Sequence, residues 1–158
     1  MLNNIEKILN NPKYKELLKK LEELEENRVF CKHNLEHFLD VARISYIYVL
    51  ENKLTYSKDI IYAIALLHDI GRVLEYEENI DHHNASVILA NELLKETNFK
   101  EEEIELIIRA IENHRRESSD ELSKIIYKAD KLSRNCFNCK AKKECYWDEN
   151  KKNKTIII

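Results

Sequence analysis

Apolar residues recur at helical spacing along nearly the whole chain. Leu17, Leu18, Leu21 and Leu24 form one stripe. Asn11-Pro12 ahead of them reads as an N-cap followed by proline at the first helical position. The spacing predicts a helix from there to about Glu26, preceded by a shorter one carrying Ile5, Ile8 and Leu9. A third runs from His33 to Glu51, with Leu35, Phe38, Leu39, Ala42, Tyr46 and Val49 on its apolar side. Ser57 caps a fourth, with Asp59 in its first turn. The run IIYAIALL, Ile60 to Leu67, is apolar on nearly every face, which suits the centre of a bundle. Gly71 is expected to supply its stop.

Asp81 to Glu96 is amphipathic through Ala85, Ile88, Leu89, Leu93 and Leu94. After a loop at Thr97 or Asn98, Ile104, Ile107, Ile108 and Ile111 define a helix from Glu101 to His114. Ser118 or Ser119 should cap a last helix, with Asp120 and Glu121 in its first turn and Leu122, Ile125, Ile126, Ala129 and Leu132 facing inward. The chain has one Gly and one Pro in 158 residues. Sheets need such residues at their turns, whereas helices can be capped by Asn, Ser and Asp. The expected fold is therefore all-α.

Composition narrows the function classes. With 44% hydrophobic and 35% charged residues, the chain reads as a soluble domain with a charged surface. Net charge is -3, and the only notable basic stretches are Lys140 to Lys143 and Lys151 to Lys154, so no nucleic-acid partner is expected. The first residues lack an apolar signal-peptide core, and no run approaches the length that spans a membrane. The expected location is the cytoplasm, where four cysteines would be reduced and metal chemistry comes before disulfides.

Several polar side chains sit where apolar ones belong. His68-Asp69 ends the most apolar helix, Asp130 stands beside Ala129 and Leu132, and His37 opens HFLDVA. A single histidine on an apolar face is more often a hydrogen-bonded core residue. Burying all these groups separately would cost several kcal/mol each, and one shared divalent cation resolves them together. Neutral imidazoles with carboxylates suit Mn, Fe, Co, Ni or Zn.

Five stretches in order, HFLDVAR, ALLHDIGR, DHHNASVILA, IENHR and YKADKLS, resemble the HD superfamily of metal-dependent phosphohydrolases. The resemblance covers about residues 30–135 and implies an HD-domain helical bundle. It implies metal ligands at His37, His68, Asp69 and Asp130. Phe38 departs from the usual Ser or Thr, at a position that is not a ligand. Two-metal members add histidines resembling His82 and His114, with Asp69 bridging; His83 rivals His82, and the motif spacing favours His82. The fuller set is similar to bacterial HD hydrolases that cleave dinucleoside tetraphosphates symmetrically. Arg72 resembles the Lys or Arg that follows HD in the family, and its planar fork suits phosphate oxygens. Lys131, Arg115 and Arg116 are weaker phosphate candidates. In some single-metal nucleotidases of the superfamily a catalytic acid takes the position that is Arg72 here. A cation at this set would lower the pKa of water from about 15.7 toward ~7 for attack on phosphorus.

The tail CFNCKAKKEC adds Cys136, Cys139 and Cys145, and Cys31 is the remaining cysteine. Cys31 precedes His37 by six residues, and Cys136 follows Asp130 by six. Helix through both intervals would set each cysteine ~9 Å along the axis from its ligand, at ~1.5 Å per residue. The four could converge on structural zinc or an iron–sulfur cluster. His33 could join them or support His37 from one turn away.

The sequence thus divides into an N-terminal helical segment (1–29) packed on the core, an HD domain (30–135) and a cysteine-rich tail (136–158). The expected function is a metal-dependent phosphohydrolase, with Asp69 and Arg72 as its catalytic residues and one or two ions. Its expected partner is a small phosphorylated substrate, a nucleotide or a dinucleoside polyphosphate, with no membrane involved. The alternative is a non-enzymatic HD module that binds a nucleotide or senses iron or redox state through its cysteines.

Overall fold

A computed structural model describes residues 3–116 and 120–157. Its helices are α1 (Asn4–Asn10), α2 (Pro12–Leu24), α3 (Leu35–Glu51), α4 (Lys58–Leu67), α5 (Arg72–Glu78), α6 (His82–Leu94), α7 (Glu101–Asn113) and α8 (Glu121–Leu132). A short 3-10 turn follows at Cys136–Asn138. No strand occurs among the described residues, so the fold is all-α. No helix among them is long and apolar enough to cross a membrane.

Small polar caps do the work that the missing glycines cannot. The side chains of Asn3, Asn11, Asn34, Ser57 and Asp81 each accept a hydrogen bond from a backbone N–H in the first turn they precede. The last helix is capped by Asp120, whose carboxylate accepts from the Ser123 amide at 2.9 Å. Asp120 was expected inside that first turn; Ser118 and Ser119, the expected caps, lie outside the described residues.

Helix α4 is the axis of the bundle, packed against α3, α7, α1 and α6. Every residue from Ile60 to Leu67 except Tyr62 is buried. The N-terminal pair closes one side: Ile8, Tyr14, Leu17 and Leu21 belong to the same apolar cluster as α3, α4 and α7. The buried Tyr14 hydroxyl donates to the Leu66 carbonyl at 2.8 Å, satisfying one of the acceptors that the end of α4 leaves open.

Several sequence expectations need correction. Leu24 and Ile88 are exposed, at 41% and 57%. At ~100° per residue, Ile88 falls outside the arc from Ala85 to Leu94 that faces the core. Helix α3 starts at Leu35 and not at His33, because Asn34 caps it, and α8 ends at Leu132. Neither Cys31–His37 nor Asp130–Cys136 is therefore helical throughout. The helix α5 was not foreseen; its polar sequence RVLEYEE carries only a weak apolar stripe.

Gly71 also has a different reason from the one expected. It is not a left-handed stop, since its φ is -67°, and α4 has already ended at Leu67. It lies where α6 crosses: a Cβ there would meet Ser86 N at 2.1 Å, His82 O at 2.5 Å and Ala85 C at 2.6 Å. The Gly71 amide donates to Ser86 Oγ at 2.9 Å across the same contact. Gly71→Ala should therefore push α6 away from the HD turn at a cost on the order of 3 kcal/mol, near the upper end for overpacking. A urea unfolding midpoint equal to that of the wild type would refute this packing.

Candidate metal centre

Two helix ends build the centre in the same way. Beyond the last turn of α4, His68 folds back so that its Nδ1 donates to the Ala65 carbonyl at 2.7 Å. Beyond α7, His114 does the same to the Ile111 carbonyl at 2.6 Å. Each ring satisfies an open helix carbonyl with Nδ1 and is left with Nε2 pointing inward. A carbonyl can only accept, so Nδ1 carries a proton, and in the neutral ring Nε2 is the nitrogen that offers a lone pair.

Both Nε2 atoms aim at Asp69, which has no exposed surface. Its Oδ1 is 3.4 Å from His114 Nε2 and 3.7 Å from His82 Nε2. Its Oδ2 is 3.4 Å from His68 Nε2 and 3.6 Å from His33 Nε2. Asp130, at the C-terminal end of α8, brings Oδ1 to 3.2 Å from His37 Nε2 and 3.8 Å from His68 Nε2. The Asn34 side chain fixes the start of α3 by accepting from the His37 amide at 2.9 Å, which seats His37 in the first turn.

None of these approaches has hydrogen-bond geometry. The Nε2 atoms of His37, His68, His82 and His114, and both oxygens of Asp69, are buried without a hydrogen-bond partner. Orphaned donors and acceptors on this scale are rare in a folded interior. Two groups of side chains hold their potential ligand atoms within 4.8 Å of one another: His37, His68, Asp69 and Asp130, and beside them His82, His83 and His114. Asp69 spans the two, with one oxygen toward each. The donor set fits a divalent transition metal.

The electrostatics agree with this fit. Burial alone would raise the pKa of Asp69, but His68, His114 and Arg72 outweigh it and hold the carboxyl well below the usual range. Asp130 is held low in the same way by His37 and His68. Burial pushes His37 down to about 4, against the pull of Asp130, which leaves a neutral imidazole. His83 is also lowered to about 4, first by burial and then by the adjacent His114 and His82.

The remaining sequence candidates fall around this core. His33 is not one helical turn from His37; it lies before the helix, gripped by Glu25, whose Oε1 is 2.7 Å from Nδ1. Its Nε2 faces Asp69. Of the rivals, His82 faces Asp69, while the His83 ring packs on His82 and His114 at centroid distances of 4.0 and 4.8 Å. Arg72, only 8% exposed, lies with Nε 3.5 Å from Asp69 Oδ1 and donates from Nη1 to Glu75 at 3.1 Å. Lys131 is exposed, with its ammonium on the Tyr127 hydroxyl and over its ring.

A second ring of residues was missed. Glu25 orients His33, Glu75 orients His82 (Oε1 to Nδ1, 3.1 Å), and the Ser133 hydroxyl lies 3.2 Å from His37 Nδ1. Ser133 is far from His37 in sequence, Glu75 is on an unforeseen helix, and Glu25 meets His33 across a loop whose path no helical spacing sets. The only available hint was that Glu75 lies six residues after Asp69 and seven before His82.

A cavity of about 600 Å³ opens above the centre. His37, His114, Asp130 and Arg72 line its floor, and Arg28, Lys32, Arg115 and Arg134 contribute positive charge. All four cysteines also line it.

A family profile for the HD domain matches residues 34–135. The chain is 47% identical over 146 residues to an uncharacterized protein of Clostridium beijerinckii, covering 92% of this chain and 93% of that one. It is 31% identical over 134 residues to ribonuclease Y of Mycoplasma mycoides, covering 84% of this chain but 29% of the relative. A ribonuclease Y of Mycoplasma capricolum is 31% identical over 120 residues, 22% of its length. The chain thus spans under a third of the ribonuclease Y sequences it matches. No solved structure matches the chain significantly.

Partners that orient metal-binding histidines typically change affinity 10–100-fold when removed. Glu75→Ala should therefore weaken Mn(II) or Co(II) binding by about that factor. Helical content should be unchanged, because the Glu75 side chain is 35% exposed. Calorimetric titration with the metal checks it, and equal affinity in the variant would remove Glu75 from the site.

Proposed function

The chain belongs to the HD-domain family, and from that premise we propose that it is a metal-dependent phosphohydrolase acting on a nucleotide or another small phosphate ester or anhydride. The observation that carries the reading is the convergence of three unpaired imidazole Nε2 atoms, those of His68, His82 and His114, on the buried Asp69 carboxylate, with the unpaired Nε2 of His37 facing Asp130 beside it. In this reading His37, His68, Asp69 and Asp130 hold one cation. His82 and His114 hold a second, with Asp69 between them and His83 alongside. When bound, such ions acidify a water and polarise a phosphate oxygen.

The chain's own side chains supply the rest. Glu75 and Asp69 hold the Arg72 guanidinium at the cavity floor, where its planar fork suits phosphate oxygens. Arg115 and Lys131 stand at the cavity wall to neutralise further phosphate charge. Burial of the donors keeps bulk water from competing with a substrate for them. A cavity of about 600 Å³ suits a nucleotide-sized ligand. Symmetrical cleavage of a dinucleoside polyphosphate is the most specific form of the proposal.

The likeness to ribonuclease Y favours a second reading, in which the scissile phosphodiester belongs to RNA. A non-enzymatic module is the third. Metal-loaded protein should be offered mononucleotides, dinucleoside tetraphosphates, generic phosphodiesters and single-stranded RNA. The expected result is turnover of a small phosphate compound with Mn(II), Co(II) or Ni(II), and loss of it to background in Asp69→Ala. Cleavage confined to RNA would support the second reading. A protein that binds metal yet turns over none of these substrates would overturn both hydrolytic readings.

A further inference from the structure

The cysteines stand apart from the family match, yet the fold gathers them. Cys31 comes from the loop between α2 and α3, and Cys136, Cys139 and Cys145 come from the segment after α8. All four face the cavity above the candidate metal centre, and none is in a disulfide. Burial, with a smaller push from Cys139, Cys136 and Cys145, raises the Cys31 thiol, while Arg134 opposes it.

The segment around them has little apolar packing to hold it in place. Across 136–157 the only buried hydrophobic residues are Cys136 and Ala141. Beyond the 3-10 turn the chain runs in turns and bends to its last described residue. Its anchor to the bundle is Asn153, whose amide donates to the Lys131 and Arg134 carbonyls at 2.7 and 2.8 Å. Arg134 in turn donates to the Lys32 carbonyl at 2.8 Å, tying the tail to the Cys31 loop. An extension this poor in buried apolar surface needs another cross-link to be ordered.

We propose that Cys31, Cys136, Cys139 and Cys145 form a second, thiolate-bound metal centre in the wall of the same cavity. It fastens the tail to the loop ahead of α3. Four thiolates around one cavity suit an iron–sulfur cluster, with a single zinc ion as the alternative form of the centre. Lys142, Lys152 and Arg134 line the same cavity and offset the thiolate charge.

The test is elemental and sulfide analysis of anaerobically purified full-length chain, with Cys139→Ser, Cys145→Ser and Asp69→Ala beside it. Iron with labile sulfide and visible thiolate-to-iron absorbance is expected in the wild type and in Asp69→Ala, and absent in both cysteine variants. Cysteine-dependent zinc without sulfide would uphold the centre and identify it as mononuclear. Circular dichroism should show the helices intact in the cysteine variants, since Cys139 and Cys145 lie outside the bundle. Wild-type protein with four freely titrating thiols, and no metal beyond what Asp69→Ala loses, would overturn the proposal. That result would leave the hydrolytic reading untouched, because it concerns different side chains.

Discussion

A carboxylate with no exposed surface sits at the end of the central helix, facing five nitrogen-bearing side chains and hydrogen-bonded to none of them. Burying such a charge costs several kcal/mol unless it is compensated. The rest of the architecture follows from compensating Asp69. Helix α4 must stop at Leu67 so that His68 and Asp69 can turn inward from its end. The HD turn must then be crossed closely by α6 so that His82 reaches Asp69, and that approach leaves no room for a side chain at position 71. Arg72 follows at once and brings a permanent positive charge to the same carboxylate.

Precision comes from a division of labour within each imidazole. One ring nitrogen is spent on the scaffold: a helix carbonyl for His68 and His114, a glutamate for His33 and His82, a hydroxyl for His37. The other is left facing the centre. Rings held this way lose little freedom when they take a ligand, which favours binding over a set of mobile histidines. The partners come from α2 to α8, so the centre is also where most of the bundle meets.

The tail adds a layer that the HD-domain match, ending at residue 135, does not contain. It forms part of the cavity wall and carries cations to it, so it bears on what the cavity admits. The relative from Clostridium beijerinckii aligns over 92% of the chain, whereas the ribonuclease Y sequences share only a portion of their own length with it. A shared fold does not by itself fix a substrate, so the surroundings of the cavity bear on the choice.

The sequence by itself determined the helical class, most of the helices and the ordered run of His37, His68-Asp69, His82, His114 and Asp130. Helical periodicity and capping are local, and polar residues inside apolar stripes are conspicuous, while His82 and His114 stood out through the resemblance to the HD-superfamily motifs. Tertiary structure decided what no local rule encodes. It decided that Gly71 answers to a crossing helix and that Ile88 faces solvent. It turned the His82 ring toward Asp69, and seated Glu25, Glu75 and Ser133 behind the histidines. It also decided that Cys31 and the tail reach one cavity through bent chain and not along helices. These features depend on distances between segments far apart in sequence, which packing alone sets.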